Sequence, residues 1–198
     1  MPPNQPHLNL TTTIIIPTYN YAQFLPRAIH SVYAQQEVPT PQVLVMDDGS
    51  TDDTAIIIAQ LQQQYPGLAY HPQPSAGKAA ATARGIALAT GQVIFTLDAD
   101  DWFLPGKIAA TLAILQQYPQ VVHVATPALI HWQQAPGRTQ PEPIPCAWLQ
   151  HPQDGSSRLR QLYTANKLYG GGSTFAARAE VLKNIPLPSP RNNYNSET

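Results

Sequence analysis

Three carboxylates fall within four positions at Asp98, Asp100 and Asp101, and four more lie at Asp47, Asp48, Asp52 and Asp53. Seven of the eight aspartates thus sit in two short foci, on a chain in which charged residues amount to only 12%. Carboxylates this close raise one another's pKa and destabilise a fold unless something positive lies among them. A hard divalent cation such as Mg2+ or Mn2+, which prefers carboxylate and phosphate oxygens, would relieve the repulsion at 98–101. The alternative is an acidic turn with its carboxylates in water. Asp52 and Asp53 have a simpler reading, as helix-start residues where the helix dipole favours negative charge.

The elements around these foci are those that would deliver them to one place. Val93 to Leu97 is an apolar, β-branched and aromatic run introduced by Gly91. It reads as a strand buried on both faces of a parallel sheet, with the carboxylates at its C-terminal end, where such sheets keep their ligand crevice. Thr11 to Ile16, closed by Pro17, reads as the first strand, and Pro17-Thr18-Tyr19-Asn20 as a turn. A helix follows at about 24–35, with Pro26 in its first turn and Leu25, Ile29, Val32 and Tyr33 at helical spacing. Gln42 to Met46 is the second strand and ends in Asp47-Asp48-Gly49-Ser50. Ser50 is the expected cap of a helix over 52–64 that buries Ile56, Ile57, Ala59 and Ile58 or Leu61. Leu68 to His71 is a short strand, and Ser75-Ala76-Gly77-Lys78 leads into an alanine-rich helix over 79–89, suited to close packing. A helix over 104–117 and an extended stretch over 121–132 complete the pattern. Four successive strand–helix pairs predict an α/β domain with a mostly parallel central sheet flanked by helices.

After Trp132 the pattern dissolves into a Pro-, Gln- and Gly-rich loop over 133–156. A helix over 157–166, a strand over 173–177 and a short helix over 179–183 are expected beyond it. Residues 1–10 read as a disordered leader. The net charge of -1 and the lack of any basic run argue against a nucleic-acid partner. The lone Cys146 forms no internal disulfide, which suits a cytoplasmic location. No stretch approaches the ~20 apolar residues of a membrane span, so a soluble domain is expected, with peripheral membrane association left open. There is no P-loop or dinucleotide fingerprint after the first strand, no EF-hand loop, and no zinc-like spacing among six scattered histidines. These exclusions point to an oxygen-ligated cation and a phosphate-bearing ligand.

Four segments, in order and in register, carry a resemblance: Ile-Ile-Ile-Pro-Thr-Tyr-Asn (14–20), Val-Met-Asp-Asp-Gly-Ser-Thr-Asp (45–52), Ala-Arg-Gly-Ile-Ala-Leu-Ala-Thr-Gly (83–91) and Leu-Asp-Ala-Asp-Asp (97–101). Together they resemble the family 2 glycosyltransferases, strongly over 11–105. The resemblance implies a single Rossmann-like glycosyltransferase-A domain over 11–198, with 11–132 the nucleotide-sugar-binding half and 133–198 a partial acceptor-side half cut off early. It implies inverting transfer from a nucleotide-diphosphate sugar donor, with Mn2+ or Mg2+ as cofactor; the acceptor, saccharide, lipid or protein, stays open. By the same resemblance Pro17, Thr18 and Tyr19 lie against the base, with Tyr19 stacking on it. Asp48 accepts a hydrogen bond from the base and Asp47 supports that loop. Asp98 lies near the ribose, Asp100 ligates the metal, and Asp101 supports it.

The catalytic base of the family belongs to a Glu-Asp pair well after the metal motif, and Glu197 stands nearest that position; its alternative is a solvated glutamate near the chain end. Where the family has Ala-Arg-Asn, this chain has Ala81-Thr82-Ala83, so Lys78 or Arg84 is left to supply positive charge to the donor. Gly170-Gly171-Gly172-Ser173 either shapes the acceptor pocket by close backbone approach or is a flexible turn. Trp102 and Trp148 are expected to pack rather than to form sugar platforms. Two other functions stay open, a nucleotide-sugar binding module without transfer and a nucleotidyltransferase. The latter would want a basic Gly-rich loop where this chain has Pro17 to Asn20.

Overall fold

The computed structural model of the protein describes residues 8–126, 128–131, 139–141 and 172–185. The β-branched and apolar runs become strands β1 (Thr12–Thr18), β2 (Gln42–Asp47), β3 (Leu68–Pro72) and β4 (Val93–Thr96), all mutually parallel. Between them run α1 (Leu25–Tyr33), α2 (Thr54–Gln64) and α3 (Lys78–Leu88), and α4 (Lys107–Gln117) follows β4. Beyond these come β5 (His123–Ala125), β6 (Leu129–His131), β7 (Thr139–Pro141), a 3-10 turn at Gly172–Thr174, β8 (Phe175–Arg178) and α5 (Ala179–Lys183). The main sheet has the order β3-β2-β1-β4-β8-β5, and β8 runs antiparallel to both its neighbours. A separate antiparallel pair, β6 with β7, interrupts the loop expected over 133–156.

Strand side chains alternate between faces, and the core divides accordingly. Ile14, Ile16, Val43 and Val45 pack with Leu25, Ile29 and Val32 of α1, Ile58 of α2 and Ile108 and Leu112 of α4. Ile15, Leu44, Met46 and Ile94 pack on the other side, with Ala81 and Ile86 of α3 and Leu182 of α5. Leu8 and Leu10, which the sequence reading assigned to the leader, pack against the first cluster. On the second face α3 rides close to the sheet, because a Cβ at Gly85 would fall only 2.6 Å from Ile15 Cγ2.

Three details differ from the expectations. In α2, Ile58 and Leu61 are buried, but Ile56 is 58% exposed and Ala59 also faces solvent. A helix turns about 100° per residue, so three consecutive isoleucines cannot all face one side. Ser50 does not cap α2, whose N-cap is Asp53; its hydroxyl instead accepts a hydrogen bond from Asn20 N at 2.9 Å. The helix expected from residue 104 starts at Lys107, after Gly106 takes a left-handed conformation. The expectations for 142–171 and for 192–198, with Gly170, Gly171, Trp148 and Glu197, lie outside the described residues, as does the helix expected over 157–166.

Candidate active site

The chain leaves β1 toward β2 on one side, while β4 lies on the other side of β1. That reversal of strand order opens a crevice at the C-terminal strand ends. A cleft of about 320 Å³ lies there, lined by Pro17, Thr18, Tyr19, Tyr21, Asp48, Lys78, Ala81, Asp98, Ala99 and Asp100. Of the residues expected at the site, Pro17, Thr18, Tyr19, Asp48, Lys78, Asp98 and Asp100 are in its lining; Asp47, Asp101 and Arg84 are not, and Glu197 is outside the described residues.

Tyr19 and Tyr21 are large apolar rims, Tyr19 being 50% exposed. Their loop is stitched to the loop after β2. Asn20, at a positive φ of 57° that asparagine tolerates, accepts from Thr51 N at 2.8 Å, and Ala22 N donates to Asp52 Oδ2 at 3.0 Å. Asp52 also accepts from Thr54 N and its hydroxyl; it and Asp53 thus precede the first turn of α2, which was expected to contain them and holds no acidic residue. Asp47 is buried beneath this loop, where Oδ1 accepts from Ser50 N at 2.9 Å and Oδ2 from the Tyr70 hydroxyl. Burial and the neighbouring Asp47 carboxylate both push the Tyr70 phenol upward.

Asp48 is only 5% exposed, and its carboxylate is already occupied. Oδ1 accepts from Gln73 Nε2 at 2.8 Å and Ala76 N at 2.9 Å; Oδ2 accepts from Gly77 N at 2.8 Å and Ser75 Oγ at 3.1 Å. Burial acts to raise its pKa, but these four hydrogen bonds outweigh it and hold the carboxyl below its ordinary value. A carboxylate has about four lone-pair sites, and here all of them serve the 73–77 loop.

Across the cleft, Lys78 Nζ lies 2.7 Å from Asp98 Oδ1. The turn after β4 is closed by Asp101 N donating to Asp98 O at 3.0 Å. Ser173 Oγ bridges it, accepting from Asp98 N at 2.9 Å and donating to Asp101 Oδ2, while Thr96 donates its hydroxyl to Gly172 O. A Cβ at residue 172 would stand 3.0 Å from Asp98 Cγ and nearer still to Oδ1, so a larger residue here requires the Asp98 carboxylate to turn aside. Burial foremost, with Asp100 and Asp98 nearby, raises the Asp101 carboxyl despite the Ser173 hydrogen bond and Lys78. Asp100 is exposed on the cleft, and among the described residues no side chain donates to its carboxylate. Arg27 Nη2 donates to its carbonyl at 2.8 Å. Trp102 packs under that guanidinium, as expected of it. Sequence reasoning missed Arg27, the double role of Ser173 and the loop that fills Asp48; only the Gly-Gly-Gly-Ser run had hinted at a close approach.

Among the described residues, no three His, Cys, Asp or Glu side chains converge to hold a metal ion unaided. One exposed carboxylate beside a cation and an apolar rim suits instead a ligand that brings its own anionic oxygens.

This architecture is that of the glycosyltransferase-A fold. A mannosyltransferase, PcManGT from Pyrobaculum calidifontis in complex with GDP-Man and Mn2+, matches with a TM-score of 0.61 at 23% identity, over 91% of this chain and 48% of its own. S. aureus TarS 1-349 in complex with UDP matches with a TM-score of 0.60 at 20% identity, over 88% of this chain and 48% of its own. In sequence, the chain is 42% identical over 106 residues to the uncharacterized glycosyltransferase alr2836 of Nostoc sp., a match covering 52% of this chain and 32% of that relative. The model for glycosyl transferase family 2 matches residues 13–185, and the chain belongs to this family. It spans about a third of the length of such curated relatives. Among the described residues, no helix is long and apolar enough to cross a membrane.

Proposed function

We propose that the protein transfers a sugar, with inversion, from a nucleoside-diphosphate sugar to an acceptor hydroxyl, in a reaction dependent on Mn2+ or Mg2+. The observation that carries this reading is the convergence, in one cleft, of an aromatic rim at Tyr19 and Tyr21, a cation at Lys78 and the exposed carboxylate of Asp100. A nucleotide base suits the rim, with Pro17 and Thr18 beneath it and Tyr19 stacked on it. A ribose suits Asp98, and the diphosphate suits Lys78, whose side chain is 61% exposed and free to turn from Asp98 toward a stronger anion. Fold neighbours solved with UDP and with GDP-Man give precedent for such donors.

Asp48 enters this reading in a changed form. Its acceptor sites are filled by residues 73–77, so a base reaches the carboxylate only by displacing the side-chain donors Gln73 or Ser75. Otherwise Asp48 serves the nucleotide by holding that loop beside it. Asp47 supports the same region from below.

The donor set fits a hard divalent cation, because Mg2+ and Mn2+ usually take only one or two carboxylates and complete their shell with substrate phosphates and water. Asp100 would hold it, with Asp101 behind as support. When bound, the ion would neutralise negative charge developing on the departing diphosphate. In a single displacement, the acceptor oxygen attacks the anomeric carbon as the bond to the diphosphate breaks. The hydroxyl proton passes to a carboxylate base, and Glu197 is the residue we propose for it.

The test compares wild type with Asp100→Ala by thermal shift, with Mn2+ and UDP or GDP added singly and together. A ligand that prefers the folded state must raise the melting temperature. Wild type should show an extra shift from the pair beyond either alone, and Asp100→Ala should lose it. A wild-type protein with no extra shift, or a variant that retains it, overturns the metal assignment. A panel of nucleotide sugars then identifies the donor by metal-dependent hydrolysis.

A further inference from the structure

The turn that carries Asp98, Asp100 and Asp101 is irregular backbone, and irregular segments are mobile unless neighbours hold them. Helix α1 holds this one. Arg27 and Ser31, four apart in α1, lie along one face of the helix, and Gln35 follows just past its C-cap, Ala34. All three meet the chain between Asp100 and Ile108. Arg27 Nη2 donates to Asp100 O at 2.8 Å, and Ser31 Oγ accepts from Phe103 N at 2.9 Å. Gln35 Nε2 donates to Leu104 O at 3.0 Å, while its Oε1 accepts from Ile108 N at 3.3 Å. The Arg27 guanidinium also lies 3.9 Å from the centroid of the Trp102 ring. An exposed arginine normally moves freely in water; this one is fixed on two sides, by an aromatic face and by a backbone carbonyl.

Arg27 does not line the cleft. Its grip is on the main chain of the residue whose carboxylate does. We infer that Arg27 is a positioning residue: it sets the main chain at Asp100 so that the carboxylate already faces the cleft before a nucleotide and metal arrive. The inference rests on the donor-site reading above. A carboxylate ordered in advance costs no conformational freedom at the moment of binding, and that saving appears as affinity. Without Arg27, Ser31 and Gln35 still anchor residues 103 to 108, so the fold should persist while Asp100 becomes free to swing.

The experiment uses the full chain as wild type, Arg27→Met, Arg27→Lys and Ser31→Ala. UDP and GDP affinities are measured by calorimetry with and without Mn2+, alongside the melting temperature of each protein. Arg27→Met should bind UDP or GDP about tenfold more weakly in the presence of Mn2+, the loss expected for one charge-assisted hydrogen bond. Metal-free nucleotide binding should stay within about twofold of wild type. Arg27→Lys should not restore the Mn2+-dependent gain, because an ammonium keeps the charge but lacks the planar fork that stacks and donates together. Should Arg27→Met fail to fold, Arg27→Lys and Ser31→Ala decide, both with the same selective loss, smaller for Ser31→Ala.

Equal losses with and without Mn2+ would make Arg27 merely structural and overturn the inference. So would a full Mn2+-dependent gain in Arg27→Met, or full rescue by lysine. A wild-type protein that shows no Mn2+-dependent gain sinks the donor-site reading, and this inference with it; a gain in wild type that the variants keep sinks this inference alone.

Discussion

Asp48→Asn is nearly isosteric, yet it should be among the more damaging single-atom exchanges in this protein. The carboxylate accepts four hydrogen bonds, two on each oxygen, and each oxygen serves one backbone N–H, Ala76 N at 2.9 Å or Gly77 N at 2.8 Å. Asparagine turns one oxygen into an amide donor. The side-chain donors Gln73 and Ser75 can turn to water, but a backbone N–H cannot turn away without moving the loop. A buried donor left unpaired destabilises by about 1–3 kcal/mol. At roughly 2–4 °C per kcal/mol for a chain of this length, the melting temperature should fall by about 2–12 °C at pH 7.

The pH dependence gives a second check. The folded-state pKa of Asp48 lies below its ordinary value, so its charge contributes stability above about pH 4 that is lost as the pH falls through the folded-state pKa. Asparagine has no such loss, and the gap between wild type and variant should narrow toward pH 3. Circular-dichroism melts at pH 7 and pH 3 measure both. A fall of less than 1 °C at pH 7, or a gap that stays constant in acid, would refute the role of Asp48 as holder of the 73–77 loop.

Two further outcomes are expected. Gly172→Ala should press a methyl group on the Asp98 carboxylate, which turns aside and loosens its pair with Lys78, so the loss should stay within about 1–3 kcal/mol, as overpacking does; a larger loss in calorimetric melts would mean that the carboxylate cannot give way. His123 stacks 4.7 Å from Phe175, and burial lowers its pKa to about 4 from 6.5. The unfolded chain then takes up a proton below pH 6.5 that the folded chain refuses until about pH 4, so stability falls with pH across that window, by at most about 3 kcal/mol. His123→Phe should flatten this part of the stability profile, and an unchanged slope in denaturant titrations at pH 4 and pH 7 would count against it.

The first half of the fold was legible because its signals are local. The Ile14–Ile16 and Val43–Val45 runs admit little but a doubly covered strand, and the alanines of α3 admit close packing. The site was legible to the extent that its carboxylates stand at strand ends. What escaped depends on partners distant in the chain. No sequence pattern says that Ala76 N and Gly77 N will fill Asp48, because a backbone N–H has no residue type. The hydroxyl of Ser50 had two outlets, a helix cap or Asn20, and the left-handed turn at Asn20 decided it. The pairing of Arg27 with Ser31 is visible as a helical period, but its target lies more than sixty residues away. The antiparallel run of β8 could not be read from Phe175 to Arg178 alone, since a four-residue strand carries no direction in its composition.

The place of β8 between β4 and β5 has a consequence for synthesis. On a ribosome, β4 and β5 emerge many residues before the strand that must separate them. During that interval, among the described residues, one edge of β4, the strand that bears the acidic turn, and the strand β5 lack the partner that β8 later supplies. Exposed edges recruit other chains, so the interval is when this protein is most open to aggregation or to chaperones. Completion of the sheet therefore waits on translation of residues 175–178, and the Ser173 bridge to Asp98 and Asp101 closes only with it.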